Sequence, residues 1–328
     1  MTALPREMKI LNPCWLVTGI ACAQFAWAQG YPGKPIRIIV SYPAGGANDI
    51  VARSVGQKMN ELLGAGIIVD NRAGAGGTLG ADIAAKAPAD GYTLLMAAGA
   101  HALAPSLYVK LPYDIGRDFA PISISAKSTY LLVTHPSVPA NSVKELIALA
   151  RAKPGGFNYA SSGIGAPPHL AGEMFNTLAK VHMTHVAYKG DTPAIADLLG
   201  GHVDLAFLAV SATSPHIKAG KLKALAVTSA QRTPVMPNLP TIAEAAGLKE
   251  FDISTWWGLL APAGTPPDAV GKLSAAMAKI AALPDIKSRF GELGVEAAAS
   301  TPDEFGAFIR AEIQKFAKLA RRAGVKPE

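Results

Sequence analysis

The 328-residue sequence predicts an α/β protein built as two lobes. Three observations carry that prediction. Apolar runs of strand length alternate with helical patterns along the chain. A unit of strand, small-residue loop and helix start occurs twice. Near residue 131 the chain leaves the first series of elements, and near residue 254 it returns. Alternation of this kind builds sheets with many parallel neighbours, because parallel strands need a crossover helix between them.

Strands are expected at 36–40, 66–69, 92–96, 130–133, 157–160, 183–188, 202–209, 222–228 and 255–261. Several helix starts are marked between them. Ser142 with Glu145, Thr241 with Glu244 and Thr301 with Glu304 have capping-box spacing, in which hydroxyl and carboxylate each take up a free N–H. Pro302 at the first helical position strengthens the third. From there Phe305, Phe308, Ile309, Ile313 and Phe316 line one face of a closing helix. Val270, Leu273, Met277 and Ile280 do the same for the helix before it. Both stripes belong to the core.

Residues 1–28 read as an export signal. Arg6 and Lys9 give a positive start, 10–23 is mostly apolar, and Ala26-Trp27-Ala28 offers small residues where a signal peptidase cuts. Cleavage is expected near Ala28, with the exported chain in the periplasm. The apolar run is interrupted by Asn12-Pro13 and is too short for a permanent anchor. Cys22 follows Gly19-Ile20-Ala21, without the large aliphatic residue a lipoprotein signal needs. Cys14 and Cys22 both fall in this segment. The exported part then has no disulfide, thiolate metal site or cysteine nucleophile.

About 300 residues remain, enough for two lobes with a core each. Residues 29–131 with 254–328 are expected to form lobe 1, and 132–253 lobe 2. The two crossing segments make a hinge, and a ligand binds in the cleft between the lobes. The formal charge is +7, or +6 without Arg6, Glu7 and Lys9. Its basic residues are scattered rather than striped with aromatics, which argues against nucleic acid as a partner and for a mild pull on anions. No cofactor is implied, and a monomer is expected.

The repeated unit is the informative feature. Strand 36–40 runs into Ser41-Tyr42-Pro43-Ala44-Gly45-Gly46-Ala47-Asn48-Asp49, with a helix from about Ile50. Strand 157–160 runs into Ser161-Ser162-Gly163-Ile164-Gly165-Ala166-Pro167-Pro168-His169, with a helix through Glu173. Glycine and alanine leave backbone N–H groups open to a ligand. A helix start adds unpaired N–H groups and a partial positive charge. Together these suit a carboxylate or phosphate without any arginine, and two such units facing each other would grip a carboxylate from both sides. Either loop alone is equally well explained as a tight turn; the pair favours binding. A third glycine-rich stretch, 71–80, fails as a dinucleotide motif because Leu79 stands where the last glycine should, and there is no GxxxxGK[ST]. It borders the cleft or touches the ligand.

Tyr42-Pro43-Ala44-Gly45-Gly46-x-x-Asp49, Asp70-Asn71-Arg72-Ala73-Gly74-Ala75-Gly76-Gly77 and Asp90-Gly91-Tyr92-Thr93-Leu94-Leu95 resemble the receptors of tripartite tricarboxylate transporters, the Bug family. So do Leu111-Pro112-Tyr113-Asp114, Tyr159-Ala160-Ser161-Ser162-Gly163 with His169-Leu170, Tyr188-Lys189-Gly190, and the blocks at 197–204 and 220–228. They occur in the family's order over nearly the whole exported chain. The resemblance implies a type II periplasmic-binding-protein fold: two α/β lobes, each a mixed, mostly parallel sheet flanked by helices, closing like a flytrap about two crossover strands. It implies that 44–49 and 161–165 grip a ligand carboxylate, and that the acid is passed to transporter subunits in transient contact. Family ligands include di- and tricarboxylates, acidic amino acids and aromatic acids.

Two departures bear on specificity. Asp191 stands where the family often has a small residue; it faces the cleft, or it caps the helix begun at Thr192-Pro193. Segment 207–211 lacks the acid some relatives carry there, which argues against an acidic amino acid. Tyr42 either covers a flat ligand or packs. His169 donates to an anion or orders its loop. Trp256 and Trp257 pack at the hinge or stack on ligand. Asp49 caps its helix or braces its loop. Together with Tyr188, these complete the candidate site. A receptor presenting its ligand to a membrane sensor kinase would share this sequence pattern. An exported hydrolase is the weaker rival, since neither GxSxG nor HExxH occurs.

Overall fold

The computed structural model describes residues 30–325 and 327. The expected export signal and its cleavage site lie outside them. Ten strands form one curled sheet: β1 (Ile36–Val40), β2 (Ile67–Asn71), β3 (Thr93–Ala98), β4 (Phe119–Thr134), β5 (Asn158–Ser161), β6 (Thr184–Ala187), β7 (Leu205–Ala209), β8 (Lys223–Val227), β9 (Ser254–Pro262) and β10 (Glu296–Ala297). The order is β2-β1-β3-β9-β4-β7-β5-β6, with β8 and β10 also on β4. Parallel trios β2-β1-β3 and β7-β5-β6 stand at the two ends. Between them β9 and β4 run antiparallel to their neighbours. Each lobe is therefore mixed, as expected, but parallel pairs do not outnumber antiparallel ones, because β4 and β9 run through the junction against their neighbours.

The sixteen-residue β4 joins the lobes. It pairs with β9 as far as Thr129↔Ser254, then with β7 from Tyr130↔Ala209 and β8 from Leu131↔Val227. Its first eleven residues are absent from the expected strands, and the sequence shows why. Register irregularities between Pro121 and Ser123 and between Ile124 and Ala126 break the two-residue alternation. Ser123 and Ser125 are also buried polar residues in a strand. Ser123 donates to Ile124 O and accepts from the distant Ser300 N, whereas Ser125 Oγ has no partner.

Helices α1 (Ala47–Leu63), α2 (Thr78–Ala85), α3 (Gly99–Leu103), α4 (Val143–Ala152), α5 (Pro167–Ala179), α6 (Asp191–Leu199), α7 (Val210–Lys218), α8 (Ile242–Ala246), α9 (Pro267–Ala282), α10 (Pro284–Glu292) and α11 (Pro302–Arg322) cover the sheet. Thr241 and Thr301 form the expected capping boxes with Glu244 and Glu304. At α4 the pattern differs: Ser142 accepts from Glu145 N, but Glu145 reaches back to Asn141 N.

The two faces of the sheet are packed differently. On one face a single apolar core runs under both lobes, joining Ala81, Leu103 and Phe305 to Leu146, Phe175 and Phe207. Helix α11 packs on α3, β4 and α5, and so spans the junction. On the other face the cores are separate. Val51, Leu273 and Phe290 belong to one, and Ile195, Leu198 and Leu208 to the other. The gap between them is the cleft.

Thr228 ties the crossing segments together. Its hydroxyl lies within bonding distance of Ile253 O (2.6 Å), Tyr130 N (3.0 Å) and Thr129 Oγ1 (3.2 Å). Backbone bonds Thr228 N to Tyr130 O and Ile253 N to Thr228 O complete the joint.

Candidate functional site

A cavity of about 440 Å³ lies in the cleft. From lobe 1 come Ala47, Ile50 and Val51 at the start of α1, Thr255 and Trp257 on β9, and Leu293 and Val295 beyond α10. From lobe 2 come Ser162, Asp191, Ala209 and Ser211; Ser128, Thr129 and Tyr130 form the floor on β4. Both glycine-rich units thus contribute to one cavity.

Loop 1 presents a bare helix start. Gly46 is the N-cap and offers no side chain, and the first helical bond runs from Ile50 N to Gly46 O. The N–H groups of Ala47, Asn48 and Asp49 precede that bond and carry the positive end of a seventeen-residue helix. The helix begins at Ala47 rather than the expected Ile50, with Asp49 inside the first turn and its carboxylate tied to the loop rather than to the free N–H groups of the helix. Its Oδ2 accepts from Gly45 N (2.9 Å) and Arg53 Nε (2.9 Å), and Oδ1 accepts from Asn71 (2.9 Å). Burial alone would raise its pKa, but those donors outweigh it and hold the carboxyl below the usual range. Asp49 braces the loop.

Gly45 has φ +83, in the left-handed region, and that sharp turn exposes Ala44, Gly45 and Gly46. Tyr42 packs away from the cavity. Its ring meets His101 edge-on at 5.9 Å, and its hydroxyl reaches Gly76 O at 3.4 Å. Gly77 lies beneath it, where an added Cβ would come 2.7 Å from Tyr42 Oη. The third glycine-rich stretch therefore borders loop 1 and contributes no lining residue. His101 Nδ1 accepts from Ala98 N (3.0 Å), so Nε2 carries the proton and donates to Ser41 (3.2 Å). Burial lowers its pKa to about 4, keeping it neutral.

Loop 2 is held from behind by a stack of rings. His185 Nε2 bonds Ser161 Oγ at 2.7 Å, and its ring lies on His169 (4.1 Å) and Tyr159 (4.9 Å). Tyr159 donates to Glu173 at 2.6 Å, and His169 Nδ1 accepts from Gly165 N at 3.0 Å. Burial lowers the pKa of both imidazoles, His185 to about 4 with His169 adding to the effect. His169 orders the loop, and Ser161 is fully buried. Gly163 and Gly165 have φ +148 and +76, and Ile164 is 76% exposed at the rim. Tyr188 turns aside and donates to Asp197 (2.6 Å). The helix after loop 2 supplies fewer donors than the repeated pattern suggests, since Pro167 and Pro168 open α5 without N–H groups.

Lobe 2 instead faces the cavity with the starts of α6 and α7. The N-cap of α6 is Gly190, so Asp191 is the first helical residue and its side chain lines the cavity. Desolvation raises the Asp191 pKa; hydrogen bonds from Ala209 N–H and the Ser162 hydroxyl work against that rise. Ser162 O also accepts from Gly190 N (3.1 Å), locking loop 2 to α6.

Of the fifteen sequence-derived candidates, Ala47, Ser162 and Asp191 line the cavity, and the others build the loops behind it. Among the lining residues that sequence reasoning missed are Ser128, Thr129, Tyr130, Ala209, Ser211 and Thr255. Burial raises the Tyr130 pKa strongly, with the Asp191 charge adding and a Thr255 hydrogen bond opposing. The available signal was position: Tyr130 and Thr255 sit on the two strands that cross between lobes. The tryptophans separate. Trp256 is core, donating to Glu312 Oε2 at 3.2 Å, whereas Trp257 forms part of the cavity wall.

Residues 51–325 match the family model described as the tripartite tricarboxylate transporter family receptor. Protein BugT of Bordetella pertussis is 37% identical over 301 residues, covering 91% of this chain and 92% of its own. Two solved structures from Rhodopseudomonas palustris are similar. Rpa4515 with adipate is 34% identical over 91% of this chain and 100% of that one, with a TM-score of 0.75. MatC with bound malate is 32% identical over 88% and 99%, with a TM-score of 0.69. With a matched model over most of its length and relatives this similar, the chain belongs to the tripartite tricarboxylate transporter receptor family.

Proposed function

We propose that this chain is a periplasmic solute receptor that captures a small organic acid in the cleft and hands it to membrane transporter subunits. The observation that carries the reading is the meeting of both glycine-rich units on one cavity, with the uncapped start of α1 aimed at it. The ligand carboxylate sits against the N–H groups of Ala47 and its neighbours, where a helix start favours an anion. The acid-bound relatives from R. palustris support the same class of ligand.

The lobes divide where β4 changes partners, between Thr129 and Tyr130, and where the chain returns at Ile253–Ser254. Ligand bound to both walls favours the closed arrangement by the difference in its affinity for the two states. Calorimetric titration of the exported chain with organic acids tests the reading. Saturable one-to-one binding, weakened when the α1 start is altered, is expected. Overturning results are no binding to any acid, or turnover of esters that is lost on Ser162→Ala.

A further inference from the structure

We propose that Asp191 makes this cleft select acids that carry one carboxylate and, at the far end, a hydrogen-bond donor such as a hydroxyl or an amine, and reject dicarboxylates. The inference rests on the carboxylate-receptor reading of the same cavity and names the ligand class within it.

Among the described residues lining the cavity Asp191 bears the only formal charge, and no lysine or arginine stands with it. A ligand with two carboxylates would satisfy one at the α1 start and bring the other to a wall with no compensating cation. The side chain is free to act on a ligand because Gly190 is the N-cap of α6. An ionised carboxylate accepts about four hydrogen bonds. The Ala209 N–H and the Ser162 hydroxyl lie against the carboxylate and favour its charged form, and the rest of the lining brings it no cation. Asp191 is partly buried, and a ligand that cuts its carboxylate off from water must meet it with a donor. Tyr130 and Thr255, beside Asp191, are hydroxyls that can orient such a group. The remaining wall is apolar, made by Ile50, Val51, Trp257, Leu293 and Val295, and suits a hydrocarbon or aromatic body between the two polar ends.

Matched acids test this by calorimetry at pH 7.5. One series is hexanoate, 6-hydroxyhexanoate, 6-aminohexanoate and adipate; the other is benzoate, 4-hydroxybenzoate, 4-aminobenzoate and terephthalate. The expected result is that, in at least one series, the hydroxy or amino acid binds at least tenfold tighter than both the plain acid and the diacid. Asp191→Asn should cut the preference over the diacid below threefold, and Asp191→Ser, which removes the carboxylate with a smaller side chain, should do the same. A diacid binding as tightly as its hydroxy and amino partners in the wild type overturns the inference and leaves the receptor reading standing. So does a preference that survives both substitutions. Absence of binding by all eight acids overturns the receptor reading, and the inference with it.

Discussion

Gly46→Asp separates folding from binding at the start of α1. Gly46 has φ −78 and ψ 169, a conformation open to any residue, and an added Cβ would find only Pro43 O at 3.6 Å. The position is the N-cap, where aspartate is preferred over glycine by a few tenths of a kcal/mol. Its charge at the helix start adds about 0.3–1 kcal/mol. In a protein of this size the thermal midpoint should therefore stay level or rise by roughly 1–4 °C. Binding should move the opposite way. The new carboxylate takes up an N–H at the helix start and places a negative charge beside the ligand's. Two such charges about 4 Å apart repel by about 4 kcal/mol at an effective dielectric of 20, or about 2 kcal/mol with the screening of an exposed loop. That corresponds to roughly thirty- to a thousandfold weaker binding. Gly46→Asn caps equally without the charge and should lose about tenfold or less. Titration calorimetry with the tightest acid of the two series, alongside thermal denaturation, measures both. Affinity for the aspartate variant within threefold of wild type, or equal losses for aspartate and asparagine, would refute the electrostatic account of the α1 start.

Three further outcomes follow from the same geometry. The Asp191 pKa is raised on folding, so its contribution to stability is present below 3.8 and lost as pH climbs through the folded value; Asp191→Asn should gain midpoint over wild type between pH 3.5 and 7.5, and a flat or shrinking difference would contradict burial of that charge. Trp257 is on the cavity wall and Trp256 is not, while Trp15 and Trp27 lie in the expected export signal. Ligand should therefore change the intrinsic fluorescence of the exported wild type but not of Trp257→Phe, and an undiminished change in that variant would remove Trp257 from the site. Gly172→Ala would set a Cβ 2.1 Å from Tyr159 Cε2, forcing the ring stack behind loop 2 to move. A loss of about 1–3 kcal/mol, several degrees in midpoint, is expected, and an unchanged midpoint would show that the stack yields freely.

The parts of the fold legible in the sequence were those whose signal is local. Strand β1 reads directly because four of its five residues are buried apolar ones, and α8 and α11 read from hydroxyl-to-carboxylate spacing. The first eleven residues of β4 escaped because its bulges and buried serines erase the alternation, and Ser123 finds a donor in Ser300 N, 177 residues away in the chain. The candidate site split the same way. Small-residue loops announced the cleft, but most of their residues serve to hold a backbone shape. Asp49, His169 and Tyr188 spend their polar atoms on Gly45, Gly165 and Asp197. The side chains that face the ligand space, Tyr130, Thr255 and Ser211, come from segments with no motif. Only tertiary folding brings them beside Asp191.

The contrast between the two sheet faces decides how such a cleft can open. Where one core runs under both lobes, separating them would uncover Phe175, Phe207 and Phe305 at about 25 cal/mol for each square ångström of apolar surface. Where the cores are separate, the lobes touch through a small contact, Val210 beside Gly294. Bending therefore costs least when the shared face stays packed and the α1 and α6 side parts. The joint at Thr129, Tyr130, Thr228 and Ile253 lies on that line, and its bonds are made by one hydroxyl and a few amides rather than by a large apolar contact. Asp191 and the start of α1 lie on opposite walls of the side that parts. A ligand bridging them acts on the weak side of the hinge, where a difference of about 1.4 kcal/mol between open and closed binding shifts the populations tenfold.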